Sequence, residues 1–170
     1  MNVLSRNPLI AVLLTSIACL VSALYLQESK GWFPCALCVL QRYAYLGTGL
    51  FATLALIGDA GQSKTLGRGL LALAVLSGLL GLCTAAYHVW VLSNPGSTCG
   101  VDPLQVKLNA LSWTAWWPTM FEADGLCTAE YPPFLGLHLP AWSAIGFVVQ
   151  LVLLAMAMVK AQVRPSATNH

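Results

Sequence analysis

The chain has 170 residues, of which 58% are hydrophobic and only 8% are charged, and its mean hydropathy is +0.73. So few charged side chains cannot cover a water-soluble globule of this size, and the composition therefore predicts a protein embedded in a bilayer. The net charge is +2, and the few Lys and Arg residues are scattered, which excludes the basic stripe typical of nucleic-acid binding.

Four apolar stretches are long enough to cross a membrane as helices, which takes about 20 residues each. They cover about residues 9–26, 38–57, 69–92 and 139–159. The predicted fold class is therefore an all-α membrane protein, with a single domain over residues 1–170 that forms a four-transmembrane-helix bundle.

The first stretch can also be interpreted as a cleaved signal, because Arg6 precedes it and Ile17-Ala18-Cys19 resembles a lipoprotein cleavage box. Ser16 stands where such a box has Leu, and the apolar run continues beyond Cys19. We therefore expect a membrane span in which Cys19 packs as a small apolar side chain.

Positive charges near the span ends predict the orientation of the chain. One side holds Arg6, Lys64, Arg68, Lys160 and Arg164, and the other holds Lys30 and Lys107. Both termini are therefore expected in the cytoplasm, with outer loops at about residues 27–37 and 93–138. The long outer loop is rich in Leu and Trp, which predicts either a short helix on the membrane surface or packing against the outer helix ends.

A Cys-x-x-Cys pair, Cys35 and Cys38, lies where the first outer loop meets the second span. We expect it in the first turn of a helix, where free N–H groups and a partial positive charge stabilise a thiolate. Arg42 follows Cys38 by one turn and either supports that thiolate or anchors the helix in the headgroups. Such a pair is redox-active or binds zinc. The chain has no second Cys or His pair at this spacing, so no metal site is expected.

The long outer loop contains a second pair, Cys99 and Cys127, in polar and Gly-containing surroundings. Alone, a disulfide here would be a structural clamp that contributes about 3 to 4 kcal/mol. Beside Cys35 and Cys38, the loop pair also permits thiol–disulfide exchange between two pairs. The sequence has no motif for flavin, nicotinamide, haem or an iron–sulfur cluster. The expected electron acceptor is therefore a molecule dissolved in the bilayer, and quinone fits.

His88 lies about one turn before the outer end of the third span, in the same leaflet as Cys38 and Arg42. It either hydrogen-bonds a quinone carbonyl or serves a neighbouring helix. Gln41 is a weaker candidate of the same kind. Cys83, in the middle of the third span, is expected to pack against a neighbour.

Three motifs together resemble the disulfide bond formation protein B (DsbB) family. They are Pro34-Cys35-Ala36-Leu37-Cys38 with Gln41-Arg42, the loop pair Cys99 and Cys127, and Phe134-Leu135-Gly136-Leu137-His138-Leu139-Pro140-Ala141-Trp142 at the last span. The resemblance extends over about residues 8–159 and implies a bundle in the bacterial inner membrane that faces the periplasm. Some family members have Glu where this chain has Gln41.

The resemblance also implies roles for the cysteines. A reduced, thioredoxin-like periplasmic oxidase (DsbA-like) would attack Cys99, and Cys127 would pass electrons to the Cys35/Cys38 pair. Cys38 would then face ubiquinone, or menaquinone, with Arg42 and His88 beside it. The implied partners are this oxidase, the quinone and membrane lipid.

Two other families share part of the pattern. Proteins similar to vitamin K epoxide reductase also join loop cysteines to quinone through four spans, but their Cys-x-x-Cys lies on the last helix. A tetraspanin-like scaffold shares the four spans and a disulfide-bearing loop, and has no use for a Cys-x-x-Cys at the membrane surface.

Overall fold

The computed structural model describes residues 3–60, 64–94 and 103–162, so Cys99 lies outside the described residues. Seven helices lie in the described part of the chain. Their bounds are α1 Val3–Lys30, α2 Ala36–Ala60, α3 Lys64–Ser93, α4 Pro103–Asn109, α5 Ser112–Trp116, α6 Pro118–Phe121 and α7 Leu139–Gln162. The four long helices contain the four predicted spans.

Among the described residues, three helices are long and apolar enough to cross a membrane. The stretches are Arg6–Lys30 in α1, Thr65–Ser93 in α3 and Leu139–Val159 in α7. α2, with 25 residues and with Gln41 and Arg42 near its start, is not among these three helices. The structure thus confirms a helix at residues 38–57, whereas a membrane span there stays a prediction.

The four long helices form a ring in which α1 and α3 each pack against both α2 and α7. Near the start of α1 and the end of α7, all four contribute to one apolar core, which contains Leu9, Val12, Ala52, Leu71, Ala74, Leu154 and Ala157. Further along the bundle, Tyr45 stacks on Phe147 with ring centroids 4.0 Å apart. Gly81 lies against the same Phe147 ring, which a Cβ atom at this position would strike. A small residue here lets α3 approach α7 closely.

Many large apolar side chains on the outer faces of the long helices are exposed, among them Leu14, Leu50, Leu80 and Val152. A water-soluble protein rarely exposes so large an apolar surface, whereas lipid is a suitable neighbour for it. The outer surface therefore agrees with the bilayer environment that the composition predicts.

The three short helices confirm the expectation of a short helix in the long loop. Leu108 and Ala123 are buried against Ala36 and Val39 in the first turns of α2. On the other side, the indoles of Trp113, Trp116 and Trp117 are exposed. The loop thus packs against a helix end and presents indole rings outward, while its place relative to a membrane stays a prediction.

Candidate functional site

The short connection between α1 and α2 holds a segment of the long loop. The carbonyl of Pro34 accepts hydrogen bonds from the backbone N–H groups of Asp124 and Gly125, both at 3.0 Å. A Cβ atom at Gly125 would strike the carbonyl oxygen of Phe33, so this close approach requires glycine.

A side chain further along the long loop strengthens the same attachment. The hydroxyl of Tyr131 donates to the carbonyl of Phe33 at 3.0 Å. The Tyr131 ring also stacks on Trp32, with centroids 4.9 Å apart. These contacts on both sides of Cys127 hold it against the start of α2.

Cys35 and Cys38 lie at the beginning of α2. The carbonyl of Cys35 accepts the N–H of Val39 at 3.0 Å, so Cys35 caps the helix and Cys38 belongs to its first turn. This confirms the predicted location at the start of a helix, and Pro34 directly precedes the cap. The two Sγ atoms are 3.4 Å apart, and both residues carry free thiols.

Cys127 packs against Cys35 and Cys38 in one apolar cluster that also contains Leu37 and Val91. A hydrogen bond from Cys35, then the backbone N–H of Leu37 and the charge of His88, lower the pKa of Cys127 to about 7. The hydrogen bonds to Cys127 and Cys38, and then burial, raise the pKa of Cys35. Of these two thiols, Cys127 therefore ionises first and is the better nucleophile near neutral pH.

His88 comes from α3 and is buried among the thiols. Its Nε2 lies 3.7 Å from Cys35 Sγ and its Nδ1 lies 3.9 Å from Cys38 Sγ. The side-chain amide of Gln41 is 3.3 Å from Nδ1, and the carbonyl of Cys127 is 3.2 Å from Nε2. An amide NH₂ can only donate, which assigns the Nε2–H tautomer that donates to the Cys127 carbonyl. Gln41, a weak candidate from sequence, thus orients the imidazole.

Arg42 is buried, and its guanidinium joins three parts of the chain. It donates to the carbonyls of Thr119 and Met120 at 2.9 and 3.1 Å, and to Oε1 of Gln27 at 2.8 Å. Sequence reasoning named Arg42 but missed Gln27, Thr119 and Met120. Two of these partners act through backbone carbonyls, which carry no residue-specific signal.

A cavity of about 710 Å³ adjoins the cysteine pair. Its polar end is formed by Cys35, Cys38, Gln41, Arg42 and His88, and the rest of its lining is mainly apolar. The apolar walls come from residues 18–26 of α1, residues 32–34 and the beginning of α7, including Trp142. A cavity of this size and lining suits a small amphipathic ligand.

Two polar groups on the cavity wall were not expected from the sequence. His138 lines the cavity, and its buried Nδ1 has no hydrogen-bond partner in the described part of the chain. Cys19 packs beside Tyr45, as a small apolar residue would, and also lines the cavity. Cys83, by contrast, does not pack as expected, since its side chain is exposed on the outside of α3.

Among the predicted site residues, the structure brings together Cys35, Cys38, Cys127, His88 and Arg42. The predicted pairing of Cys99 with Cys127 stays a prediction, because Cys99 is not described. One ligand atom from each of Cys35, Cys38 and His88 lies within 4.8 Å of the other two, an arrangement that chain spacing alone did not predict.

Comparison with known proteins agrees with this site. The family model of disulfide bond formation protein DsbB matches residues 5–157. A protein named disulfide bond formation protein B from Ralstonia nicotianae is 46% identical over 142 residues, which cover 84% of this chain and 86% of that protein. The protein of the same name from Cupriavidus necator is 43% identical over 156 residues, which cover 92% and 94%. That from Burkholderia pseudomallei is 41% identical over 156 residues, which cover 91% and 90%.

The family match covers almost all of the chain and includes the helix that begins with Cys35 and Cys38, the buried His88 and the loop that carries Cys127. In the vitamin K epoxide reductase pattern the cysteine pair would lie on the last helix, whereas here it begins α2. The chain therefore belongs to the DsbB family of disulfide bond formation proteins.

Proposed function

We propose that this protein is an inner-membrane thiol:quinone oxidoreductase that reoxidises a DsbA-like periplasmic dithiol oxidase. The observation that carries the proposal is the order of the thiols. Cys127 on the loop packs against Cys35, and Cys38 of the same pair lines a largely apolar cavity. Electrons from a loop disulfide thus have a path through sulfur atoms to the cavity.

The proposed topology has four spans, with both termini in the cytoplasm and the cysteines at the periplasmic surface. The fourth proposed span is α2. It packs between α1 and α3 throughout the ring, and its 25 residues reach across a hydrocarbon core of about 30 Å at 1.5 Å per residue. Its Arg42 is hydrogen-bonded near one end, where the energetic cost of a membrane charge is smallest.

The first reaction is an exchange with the partner. A partner thiolate attacks Cys99 of a Cys99–Cys127 disulfide, and the second partner thiol completes the exchange. The partner becomes a disulfide, and Cys99 and Cys127 become thiols. Two electrons and two protons have then moved from the partner to this chain, so the step is balanced.

The second exchange moves the electrons to the membrane pair. The Cys127 thiolate, favoured by the backbone N–H of Leu37 and the charge of His88, attacks Cys35 of a Cys35–Cys38 disulfide and releases Cys38 as a thiolate at the cavity wall. Cys99 then attacks Cys127, which restores the loop disulfide and leaves Cys35 reduced. The net result is a Cys35/Cys38 dithiol beside the cavity.

The cavity fits a quinone by its chemistry. Gln41, Arg42 and His88 supply polar groups for the ring oxygens of a quinone, and the mainly apolar remainder of the lining suits an isoprenoid chain. His138 Nδ1, buried and without a partner in the described part of the chain, is a further group to hydrogen-bond an oxygen. A bound quinone supplies an acceptor for two electrons and two protons.

The residues around Cys38 have distinct roles in this scheme. His88 Nδ1, 3.9 Å from Cys38 Sγ, is placed to take the proton that this thiol loses. Arg42 places a fixed positive charge on the cavity wall, and its loop contacts keep that charge in position. Cys35 closes the disulfide with Cys38 as the electrons leave.

The test is anaerobic reduction of ubiquinone by the purified, full-length protein after addition of a reduced thioredoxin-like partner, followed optically. We expect the parent protein to reduce quinone and Cys38→Ser to reduce none. Cys83→Ser, which changes an exposed cysteine on the outside of α3, is the matched control and should behave as the parent protein.

If neither the parent protein nor Cys83→Ser reduces quinone while the partner remains reduced, the oxidase proposal is wrong and a structural role for the cysteines is favoured. Quinone reduction that persists in Cys38→Ser would instead place the electron path outside the Cys35/Cys38 pair.

A further inference from the structure

The thiols at the start of α2 and the imidazole of α3 have the spacing of a metal site. Cys35 Sγ is 3.4 Å from Cys38 Sγ, Cys38 Sγ is 3.9 Å from His88 Nδ1, and one ligand atom from each of the three residues lies within 4.8 Å of the other two. In a tetrahedral zinc site with Zn–S near 2.3 Å and Zn–N near 2.0 Å, neighbouring ligand atoms lie about 3.5 to 3.8 Å apart. Cys38 Sγ and His88 Nδ1 already lie close to that separation, and a shift of the His88 side chain towards Cys35 by about 1 Å would complete the geometry.

The surroundings of the three residues also suit a metal ion. Cys35 and His88 are buried, so a bound ion would be shielded from competing water. A metal-binding histidine usually bonds a carbonyl or carboxylate through its other ring nitrogen, and here the Cys127 carbonyl lies 3.2 Å from Nε2. Cys127 packs in the same cluster but is not one of the three mutually close ligand atoms, so its side chain would have to move to supply a fourth ligand.

We propose that the reduced protein binds one zinc ion through Cys35, Cys38 and His88, with Cys127 or water in the fourth position. Thiolate sulfur and imidazole nitrogen are the ligands that zinc prefers. The expectation of no metal site considered only cysteine and histidine pairs close in sequence, whereas the third ligand proposed here comes from a different helix, 50 residues along the chain from Cys38.

Binding changes bonds and protons but no oxidation state. The S–H bonds of Cys35 and Cys38 break, two Zn–S bonds form, and two protons go to solvent. When Cys35 and Cys38 form a disulfide, neither sulfur is a thiolate and the site is absent. Zinc is therefore retained by the reduced protein only.

The site has a consequence for activity that rests on the proposed function. Cys38 and His88 both line the cavity, so zinc would occupy the groups that act on quinone. Zinc should thus block quinone reduction after the protein has been reduced. The binding of zinc does not itself depend on quinone chemistry.

The experiment uses full-length protein in detergent under anaerobic conditions, reduced and then freed of reductant. Zinc is titrated in competition with a coloured chelator of known affinity. We expect one ion per chain with the parent protein and with Cys83→Ser, and none with the oxidised protein. In the double variant Cys35→Ser/Cys38→Ser, affinity should fall more than about 100-fold, because even loss of a residue outside the ligand set costs about 10- to 100-fold.

X-ray absorption of the zinc-loaded parent protein gives a measurement that does not depend on the folding of any variant. We expect at least two sulfur ligands at about 2.3 Å and one nitrogen ligand at about 2.0 Å. Equal zinc binding by reduced and oxidised protein, or a ligand shell without sulfur, would overturn the proposal. Zinc binding without quinone reduction would support the zinc site and count against the proposed oxidase function. Quinone reduction without zinc binding would support the oxidase function and overturn the zinc site.

Discussion

Arg42 and Thr119 lie 77 residues apart in the chain, yet the guanidinium of Arg42 donates a hydrogen bond of 2.9 Å to the carbonyl oxygen of Thr119. The same Nη1 atom reaches the carbonyl of Met120 at 3.1 Å. One side chain therefore fixes the cavity wall of α2 and the short helix α6 in a single arrangement.

Replacement of this side chain should affect quinone more than the partner. Arg42→Ala leaves the carbonyls of Thr119 and Met120 and the amide oxygen of Gln27 without their donor, at about 1 to 3 kcal/mol for each buried group. We expect the KM for quinone to rise about tenfold or more, since 1.4 kcal/mol corresponds to about a factor of ten. The KM for the reduced partner should stay nearly unchanged.

Steady-state kinetics with each substrate varied in turn measures this difference. Arg68→Ala, which removes an exposed charge from the start of α3, is the control and should leave both constants as they are. Equal increases in the two KM values would show that Arg42 supports the whole loop and has no particular relation to the cavity.

Gly125 offers a test of the loop attachment. In Gly125→Ala the new Cβ atom would strike the carbonyl of Phe33 and push Asp124 and Gly125 away from Pro34. Because Cys127 follows two residues later, we expect exchange between Cys127 and Cys35 to slow about tenfold or more, for a loss of about 1 to 3 kcal/mol. Stopped-flow reduction of quinone after addition of the reduced partner measures this exchange, because the partner itself is already oxidised in the preceding step.

The control for this change is Gly69→Ala, where a Cβ atom meets open space on α3. This variant should keep the parent rate. Quinone binding should be the same in both variants, and an unchanged exchange rate in Gly125→Ala would show that the contact with Phe33 does not position Cys127.

The reactivity of Cys127 should follow its pKa. A thiolate that accepts hydrogen bonds has a lowered pKa, and the pKa of Cys127 is about 7 against an ordinary 9.0. In the reduced protein, alkylation of Cys127 by iodoacetamide should therefore reach half its maximal rate near pH 7 and level off above it. Peptide mass spectrometry resolves this cysteine from the others.

Cys35→Ala removes the largest cause of the lowered pKa, so the pH of half-maximal alkylation should rise towards 9.0. A parent midpoint already near 9.0 would contradict the contact between the two thiols. The same midpoint in parent and variant would assign the effect to the N–H of Leu37 and to His88.

Phe147 should be the side chain on which the bundle depends most. It is fully buried, stacks on Tyr45 and fills the space left by Gly81. We expect Phe147→Ala to lower the free energy of unfolding by about 3 kcal/mol or more. Unfolding by SDS in mixed micelles measures this change. Val148→Ala, on the neighbouring exposed position, should cost much less, and equal losses would show that the Phe147 ring is not a packing centre.

Sequence reasoning was strongest where the signal is local. The apolar runs predicted all four long helices, and Cys35 and Cys38 were placed correctly at a helix start. The helices extend beyond the apolar runs because the backbone hydrogen bonds of a helix form equally well where the side chains are polar. Periodicity within the Trp-rich loop was too weak to divide it into α4, α5 and α6.

The parts that sequence reasoning missed depend on contacts between distant segments. Gln27 has no feature that marks it as the partner of Arg42, and the carbonyl of Met120 could belong to any residue. Cys83 was misplaced because hydrophobicity along a membrane helix does not distinguish a side chain that faces lipid from one that faces a helix.

The cavity walls have a practical consequence for the study of inhibitors. Much of the lining comes from α1 and from the first turn of α7, and both helices contain stretches suited to a membrane. A compound that binds between such helices reaches the cavity from the lipid phase. The concentration that governs its binding is therefore the ratio of compound to lipid molecules, not the amount per litre of buffer. The apparent potency of an apolar inhibitor should therefore fall as detergent or lipid is added at constant total dose, even though its affinity for the cavity is unchanged.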